Sequence, residues 1–445
     1  MARTGRRGGA HPGWTAGAGG AGEARCDRGG AARERPDYRR RRARVVRVVG
    51  RVVGPLLHPQ AVRPRRCDVQ PALRRGSGEG RPAPRHRGGR ACAPPGHLRR
   101  MTHALSRHRV AHWLWERRGA AALARLALLP LALLYRGVMI ARAAAYRRGW
   151  LRVRALPAPS VAVGNLSVGG SGKTPLASWI AHHYRQRGRT PAILLRGYGA
   201  DEPLVHRRLV PDGIVVADPD RLAGARRAVE RGADVLVLDD AYQLLGVARD
   251  LNIVLVSAES DRASRWPLPA GPWREGWEAL GRAGCIIVTR KRATARAAAT
   301  LAARLARRRP GVPVAVVQLG LDHFEGLRSG VGRPPAVLGE RRVVAAAGIA
   351  DPLSFAVQIR SLGAQVELLA FPDHHPYAPQ DVARLVQAAA EADYVVITEK
   401  DAVKLRERWP ADAAEPLVAV LAVRWEANGR AVERALDAVL EAARP

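Results

Sequence analysis

The feature that most constrains the fold is a glycine-rich stretch at residues 159–174, which reads PSVAVGNLSVGGSGKT. A short apolar run, Val161 to Val163, enters a turn that holds three glycines, and a helical pattern of apolar residues follows Thr174. Glycines allow backbone N–H groups to converge on anionic oxygens, and a helix N-terminus adds the positive end of its dipole. The stretch therefore predicts a strand, a phosphate-binding turn and a helix.

The residue types in this turn indicate a nucleoside-triphosphate site. In such loops the lysine, here Lys173, reaches the β- and γ-phosphates, and the following hydroxyl, here Thr174, ligates Mg²⁺. Ser167 stands where the general pattern G-x-x-x-x-G-K-[ST] has its first glycine. A glycine-rich connector is the alternative, and the predicted strand-to-helix junction favours the phosphate site. The expected nucleotide-binding residues are Gly169, Gly170, Ser171, Gly172, Lys173 and Thr174.

The net charge of +35 resembles that of a nucleic-acid-binding protein, but its distribution does not support that function. Residues 1–100 carry 25 arginines, no lysine and six acidic residues, with few large apolar groups. Such a composition predicts a disordered Arg/Gly/Pro-rich extension. It is either a basic arm for nucleic acid or anionic lipid, or an upstream extension without a role. We hypothesise that the working protein begins at Met101. Since no recognition motif accompanies the arginines, we expect no specific nucleic-acid partner.

Residues 101–150 form a basic apolar segment that precedes the phosphate loop. Its longest uncharged run, Leu126 to Tyr135, has ten residues, whereas a spanning helix needs about twenty. On a continuous helix, four arginines would lie on nearly one stripe: Arg118, Arg125, Arg136 and Arg147. The pattern predicts a helix in the membrane interface, with its basic face toward anionic headgroups. The alternatives are a helix packed on the core and a helical hairpin broken at Pro130.

From residue 151 to residue 320, apolar runs alternate with helical patterns, which is typical of a parallel sheet with connecting helices. We expect strands at 161–166, 191–196, 234–239, 252–257, 285–289 and 313–320, and helices at 173–187, 219–231 and 292–308. The run Val235 to Asp240 reads as a buried strand that ends in two carboxylates. A P-loop enzyme places an acid beside Mg²⁺ in this way, so we assign Asp239 and Asp240 to the metal. Two solvated turn residues are the alternative.

After an irregular linker at 321–342, the α/β alternation resumes at 343–445. We expect strands at 343–347, 366–371, 394–398 and 417–423, and helices at 352–361, 379–391 and 430–442. The fold class is therefore α/β: a P-loop NTPase-like parallel sheet domain, a second, smaller α/β domain and an N-terminal membrane-interface helix. Among the loops at strand ends, Asp373-His374-His375 is a metal cluster, a general-base site or a helix-capping turn.

Two loops of the first domain also carry candidate residues. Arg196, Tyr198 and Asp201 follow a strand at its C-terminal end, where ligands bind in open α/β sheets. A stiff Pro/Gly loop at 268–275 presents Arg274 and Glu275. For each of these charged residues, an ordinary surface position is the alternative.

Taken in order, these motifs resemble those of the tetraacyldisaccharide 4'-kinase family, the lipid A 4'-kinases of Gram-negative bacteria. The resemblance rests on the phosphate loop up to Pro175, Arg196-Gly-Tyr-Gly, Asp201-Glu-Pro, Asp239-Asp240, Leu268 to Glu275, Asp373-His374 and Thr398 to Lys404. It runs from about residue 120 to about residue 440. Ser167 agrees with this family's own form of the loop.

The resemblance implies a membrane-associated enzyme at the cytoplasmic face of the bacterial inner membrane. It would transfer the γ-phosphate of ATP, with Mg²⁺, to the 4'-hydroxyl of a tetraacyldisaccharide 1-phosphate. Asp201 and His374 match the family's catalytic dyad, and Glu275 matches an acid near the metal. Arg196, Tyr198 and Arg274 are the expected contacts to phosphate or substrate.

The sequence departs from the family pattern at two positions. Asp239-Asp-Ala-Tyr-Gln-Leu244 stands where the family has Asp-Asp-Gly-Phe-Gln-His, and the segment before Asp201 is shorter. A P-loop kinase or GTPase that acts on another small molecule or protein is the alternative function, although no base-specificity motif of a GTPase is found. The oligomeric state does not follow from the sequence.

Overall fold

The computed structural model describes residues 114–115, 119–197, 201–259 and 265–442. The expectations for residues 1–100 and for Tyr198 lie outside these residues. The helices are α1 (Ala120–Arg147), α2 (Lys173–Gln186), α3 (Asp201–Leu209), α4 (Arg221–Glu230), α5 (Ala295–Arg308), α6 (Pro352–Arg360), α7 (Pro379–Glu391), α8 (Glu399–Leu405) and α9 (Gly429–Glu441). Short 3₁₀ helices span Trp277–Arg282 and Pro335–Leu338.

The strands belong to one mostly parallel sheet, which confirms the predicted α/β class. They are β1 (Ser160–Asn165), β2 (Pro191–Leu195), β3 (Ile214–Ala217), β4 (Val235–Leu238), β5 (Leu251–Ser257), β6 (Cys285–Arg290), β7 (Val314–Gly326), β8 (Gly332–Arg333), β9 (Arg342–Ala347), β10 (Gln365–Ala370), β11 (Tyr394–Thr398) and β12 (Leu417–Ala427). Their order is β10-β9-β11-β12-β7-β6-β5-β1-β4-β2-β3, and β8 pairs with β7.

Two α-helices and two strands were not predicted from the sequence: α3, α8, β3 and β8. Both helices are short and polar, so they lack the apolar period that indicates a helix. Their first turns explain why they form. In α3, Asp201 and Glu202 lie at the N-terminus, where carboxylates interact favourably with the helix dipole. In α8, the Thr398 hydroxyl accepts a hydrogen bond from the Asp401 N–H at 3.3 Å and caps the helix.

The predicted linker at 321–342 is partly strand, because β7 continues to Gly326. This extension joins a first strand set, β1 to β7, to a second strand set, β9 to β12. Within each set all neighbouring strands are parallel, and β7 and β12 are antiparallel. The division into domains at 151–320 and 343–445 stays a prediction.

The register of β7 and β12 brings the carboxyl ends of the two strand sets to face each other. The early part of β7, Val314 to Gln318, pairs with β6, whereas its last residue, Gly326, is aligned with Leu417 at the start of β12. β11 pairs with this start of β12 and runs in the same direction. The second set therefore begins at the far end of β7 and points back toward the first set. Loops at the carboxyl ends of both sets can meet.

Apolar clusters cover both faces of each strand set. The largest one holds Val161 of β1 and Leu176 of α2, together with Val432 and Leu436 of the last helix, α9. These side chains are fully buried. The C-terminal helix therefore packs on the first strand set, although the chain reaches it from the second.

Helix α1 is continuous through Pro130, so the hairpin considered from the sequence is not formed. By length and composition alone it is long and apolar enough to cross a membrane, with a mean hydropathy of 1.7 in a window that is 6% buried. The sequence predicts an interfacial helix instead, because its longest uncharged run has only ten residues. Arg125 donates to the Leu114 carbonyl at 3.1 Å, and Arg136 pairs with Glu278 at 3.3 Å. Both of these predicted headgroup-facing arginines thus bind protein groups.

Candidate active site

The phosphate loop connects β1 to α2, as predicted. Gly169 and Gly172 have φ values of 125° and 86°, in the region that favours glycine. A Cβ on Gly172 would also lie 2.1 Å from Leu319 Cδ1, so a side chain cannot be accommodated there without movement. The loop is braced from within, because Asn165 Nδ2 donates to Ser171 Oγ at 2.9 Å.

Lys173 lies between the phosphate loop and the end of β4. Its Nζ is 3.5 Å from Asn165 Oδ1 and 3.5 Å from Asp240 Oδ1. Asp240 also accepts from Arg274 Nη1, at 3.2 and 3.3 Å to its two oxygens. The structure therefore brings two predicted site residues, Lys173 and Arg274, to the carboxylate of a third, Asp240. Asp240 has a φ of 49°.

Asp239 is buried and faces away from this cluster, toward α3. His206 Nε2 donates to Asp239 Oδ2 at 3.0 Å, and the Ser178 hydroxyl lies 3.1 Å from Nδ1 of the same ring. Burial would raise the pKa of Asp239, but the hydrogen bond from His206 overcomes this effect and lowers it. Asp239 is therefore a carboxylate held by protein groups. His206 was not predicted, since a single histidine in a short polar helix carries no pattern.

Glu275 is likewise bonded to protein groups. It accepts from Arg282 Nη2 at 2.7 Å and from Gln243 Nε2 at 3.1 Å. Gln243 also donates to the Asn165 carbonyl at 2.8 Å, which ties Glu275 to the end of β1. Thr174 is half-buried in the first turn of α2. Among the described residues, no three His, Cys, Asp or Glu side chains form a metal-binding cluster.

The predicted dyad residues lie in contact although 173 positions separate them in the chain. Asp201 begins α3 after β2, and His374 follows β10 in the second strand set. His374 Nδ1 donates to the two carboxylate oxygens of Asp201 at 3.0 and 2.9 Å. His374 has a φ of 60° and its N–H donates to the Gly348 carbonyl at 3.2 Å. The contact is formed where the carboxyl ends of the two strand sets meet.

A third charged group completes this contact. Lys404 Nζ of α8 lies 3.0 Å from Asp201 Oδ2. Burial would raise the pKa of Asp201, but the hydrogen bond from His374 and the charge of Lys404 lower it below its ordinary value. The hydrogen bond to Asp201 raises the pKa of His374 above its ordinary value, against the opposing effect of burial. Asp201 is thus an anion that orients the ring and stabilises its protonated form.

The two groups of site residues are joined through α3. This helix carries Asp201 at its start and His206 one turn later, and His206 bonds to Asp239 beside Asp240. Arg196 lies at the end of β2 with its side chain exposed. The expected role of Tyr198 stays a prediction, because residues 198–200 are not described.

Known proteins bear out what these motifs suggested. The family model described as tetraacyldisaccharide-1-P 4'-kinase matches residues 124–201 and 200–441. The chain belongs to this family.

Individual relatives extend the match to most of the chain. Tetraacyldisaccharide 4'-kinase from Anaeromyxobacter sp. (strain K) is 38% identical over 361 residues, covering 74% of this chain and 95% of that protein. The enzyme of the same name from Pelobacter propionicus is 37% identical, covering 62% and 82%. The crystal structure of LpxK from Aquifex aeolicus in complex with ATP aligns with this chain at a TM-score of 0.56. Its sequence is 26% identical, and the alignment covers 99% of that chain.

Several members of this site were not predicted as site residues: Asn165, His206, Gln243, Lys291 and Lys404. Lys404 lies in a motif that supported the resemblance to the tetraacyldisaccharide 4'-kinases, so a signal was present. Lys291 follows β6, and its Nζ is 3.4 Å from the position that a Cβ on Gly170 would occupy. Burial lowers the pKa of Lys291, although the charges of Asp351 and Glu259 oppose the shift.

Proposed function

We propose that the protein transfers the γ-phosphate of ATP to the 4'-hydroxyl of a tetraacyldisaccharide 1-phosphate. The contact between His374 and Asp201 carries this proposal. It supplies a proton acceptor at the edge of the sheet that also carries the phosphate loop. Family membership supports the same substrates, since the relatives are named for this reaction and the Aquifex LpxK structure contains ATP.

The proposed mechanism assigns a task to each side chain. Lys173 and the amides of the phosphate loop hold the γ-phosphate. Because His374 Nδ1 is committed to Asp201, Nε2 is the nitrogen that takes the proton of the 4'-hydroxyl. The hydroxyl oxygen then forms a bond to the γ-phosphorus as the bond to the β–γ bridging oxygen breaks, and ADP leaves. Asp201 stabilises the imidazolium that forms.

The oxygen groups beside Lys173 fit Mg²⁺. This ion is usually held by one or two carboxylates, substrate phosphates and water, so a dense protein cluster is not required. We propose that Thr174 and Asp240 hold it directly and that Asp239 and Glu275, both bonded to protein groups, support that arrangement. When bound, Mg²⁺ neutralises charge on the β- and γ-phosphates.

Product formation tests the proposed function. Purified protein incubated with Mg-ATP and a tetraacyldisaccharide 1-phosphate should yield the 4'-phosphorylated product in stoichiometric balance with ADP. Mass spectrometry of the extracted lipid detects the product. A disaccharide whose 4'-hydroxyl is blocked serves as the control acceptor. ADP formation with that blocked acceptor, or no product with the free one, contradicts the proposal.

We further propose that α1 attaches the enzyme to the cytoplasmic face of the inner membrane. Its outer face exposes apolar side chains over the length of the helix, including Leu123 (71%), Leu126 (64%) and Leu134 (63%). Its inner face contacts the site: Tyr135 donates to the Arg274 carbonyl at 3.1 Å, and Arg142 to the Gln243 carbonyl at 3.3 Å. A lipid substrate would therefore reach the site from the membrane-bound side of α1.

A charge on this face should weaken membrane binding. We expect the double variant Leu126→Glu/Leu134→Glu to bind vesicles of anionic phospholipid at least about tenfold more weakly, because each carboxylate costs energy to bury in lipid. Co-sedimentation with vesicles measures the bound fraction. Leu353→Glu, which places one such charge at a leucine 58% exposed on α6, is the control and should bind like the wild type. Equal binding by the double variant would exclude α1 as the attachment surface.

A further inference from the structure

Lysine is used very sparingly in this chain. The sequence holds four lysines and seventy arginines, and the lysines are Lys173, Lys291, Lys400 and Lys404. All four lie at the carboxyl ends of strands around the site: in the phosphate loop, directly after β6, and in α8. A chain that otherwise uses arginine for positive charge keeps lysine here. The compact ammonium differs from the broad guanidinium in shape and hydration. We therefore expect that arginine cannot replace lysine at these positions without changing their contacts.

Of the two lysines of α8, Lys404 is the one that forms an ion pair with the dyad residue Asp201. Its Nζ is 3.0 Å from Asp201 Oδ2, and its side chain is 13% exposed. Within the part of the chain that the structure describes, this ammonium forms no hydrogen bond with good geometry and its one ion pair is that with Asp201. Its charge acts on Asp201 and also on the buried carboxylate of Asp401.

We propose that Lys404 is a positioning residue for the dyad: its ammonium fixes the Asp201 carboxylate against His374 and opposes protonation of the imidazole. This proposal rests on the proposed function of His374 as proton acceptor. It concerns a residue that does not touch the reacting atoms.

Lys404 can oppose protonation of His374 because both side chains contact the same carboxylate, that of Asp201. His374 Nδ1 and Lys404 Nζ both contact Asp201 Oδ2, at 2.9 and 3.0 Å, so the two nitrogens are less than about 6 Å apart. A like charge at this range disfavours protonation of the ring.

The other charged groups that face His374 come from three elements. Asp201 and Glu202 lie on α3, Asp373 precedes His374 in its own loop, and Lys400 accompanies Lys404 on α8. Asp201 and Asp373 favour the protonated ring, and Lys400 opposes it. Loss of the Lys404 charge would leave the carboxylates opposed by one positive charge fewer, so the ring would stay protonated to higher pH.

The test is the variant Lys404→Met, which keeps the length of the side chain and removes its charge. A proton acceptor works when it is unprotonated, so kcat/KM rises with pH through the pKa of His374. In Lys404→Met this rise should occur about one pH unit higher than in the wild type. At a pH below the rise of both proteins, kcat/KM of the variant should thus be about tenfold lower than that of the wild type. A loss of the same factor at every pH, with an unmoved rise, would overturn the proposal.

Titration of His374 by NMR separates this proposal from the proposed function. The full-length protein, labelled in its histidine rings and without substrates, reports the ring directly, and His374→Gln assigns the signal. In Lys404→Met we expect the pKa of His374 to be about one pH unit higher than in the wild type. If this shift occurs in a protein that makes no phosphorylated lipid, the proposed function fails and the role of Lys404 stands.

Arg406→Met is the matched control, since it removes an exposed charge from the residue that follows α8. It should leave both the rate profile and the His374 titration unchanged. An equal shift in this variant would overturn the proposal, because it would show a general charge effect.

Discussion

Replacing His374 with alanine should lower kcat by about 10²- to 10⁴-fold, the range that a positioned acid or base contributes. The side chain is 40% exposed, so its loss removes little buried apolar surface. We therefore expect a folded protein that binds ATP and has lost its proton acceptor. Rates of product formation at saturating ATP and lipid measure the effect.

Asp201→Ala should cause a loss of similar size for a different reason. The ring of His374 would lose the group that orients it through Nδ1, and its protonated form would lose a stabilising anion. In the double variant the loss should be no greater than about that of the more damaging single change, because residues that act as a unit are non-additive. Multiplicative losses would mean that the two residues act independently.

Two measurements keep this test specific. Asp201 is buried beside Lys404, so removal of the carboxylate leaves a positive charge without its partner, and thermal unfolding must show that the variant is folded at the assay temperature. His182→Ala is a matched control, since His182 is an exposed histidine of α2 that bonds the Leu209 carbonyl at 2.8 Å. It should keep the wild-type rate.

The parts of the candidate site that are continuous in sequence carry a local signal. The loop from Ser167 to Thr174 carries its own signal, because glycines, lysine and a hydroxyl residue at a strand-to-helix junction have few other uses. Asp239 and Asp240 were likewise predicted at the end of a buried strand, and in the structure they follow β4. The sequence did not predict that the two acids have different partners. Asp240 forms ion pairs with Lys173 and Arg274, while Asp239 bonds to His206.

Contacts between distant segments were not predictable from periodicity. Nothing local in Asp201 or His374 indicates that they touch; the family resemblance alone implied it. The physical cause is the length of β7, which extends past its partners in the first strand set and pairs with the start of β12. An alternation of strands and helices gives the class of the sheet but not the point where two sets of carboxyl ends meet.

Replacing Lys173 with alanine should lower kcat by at least about 10³-fold. The ammonium lies where the terminal phosphates of ATP are proposed to bind, and charge on a transferring phosphoryl group is stabilised chiefly by fixed positive groups. The protein should remain folded, because Asp240 keeps its ion pair with Arg274 at 3.2 Å.

Single-turnover assays at concentrations of Mg-ATP and lipid above their dissociation constants measure the rate of phosphoryl transfer. They therefore separate a slower transfer step from weaker ATP binding. Arg185→Ala is the matched control on the same helix, since it removes a positive side chain whose partner, Asp212, is 77% exposed. Exposed pairs of this kind contribute about 0 to 1 kcal/mol, and this variant should turn over at the wild-type rate. A Lys173→Ala enzyme that keeps more than about a tenth of the wild-type rate would be incompatible with phosphate contact at the transition state, because losing a preorganised charge there costs several kcal/mol.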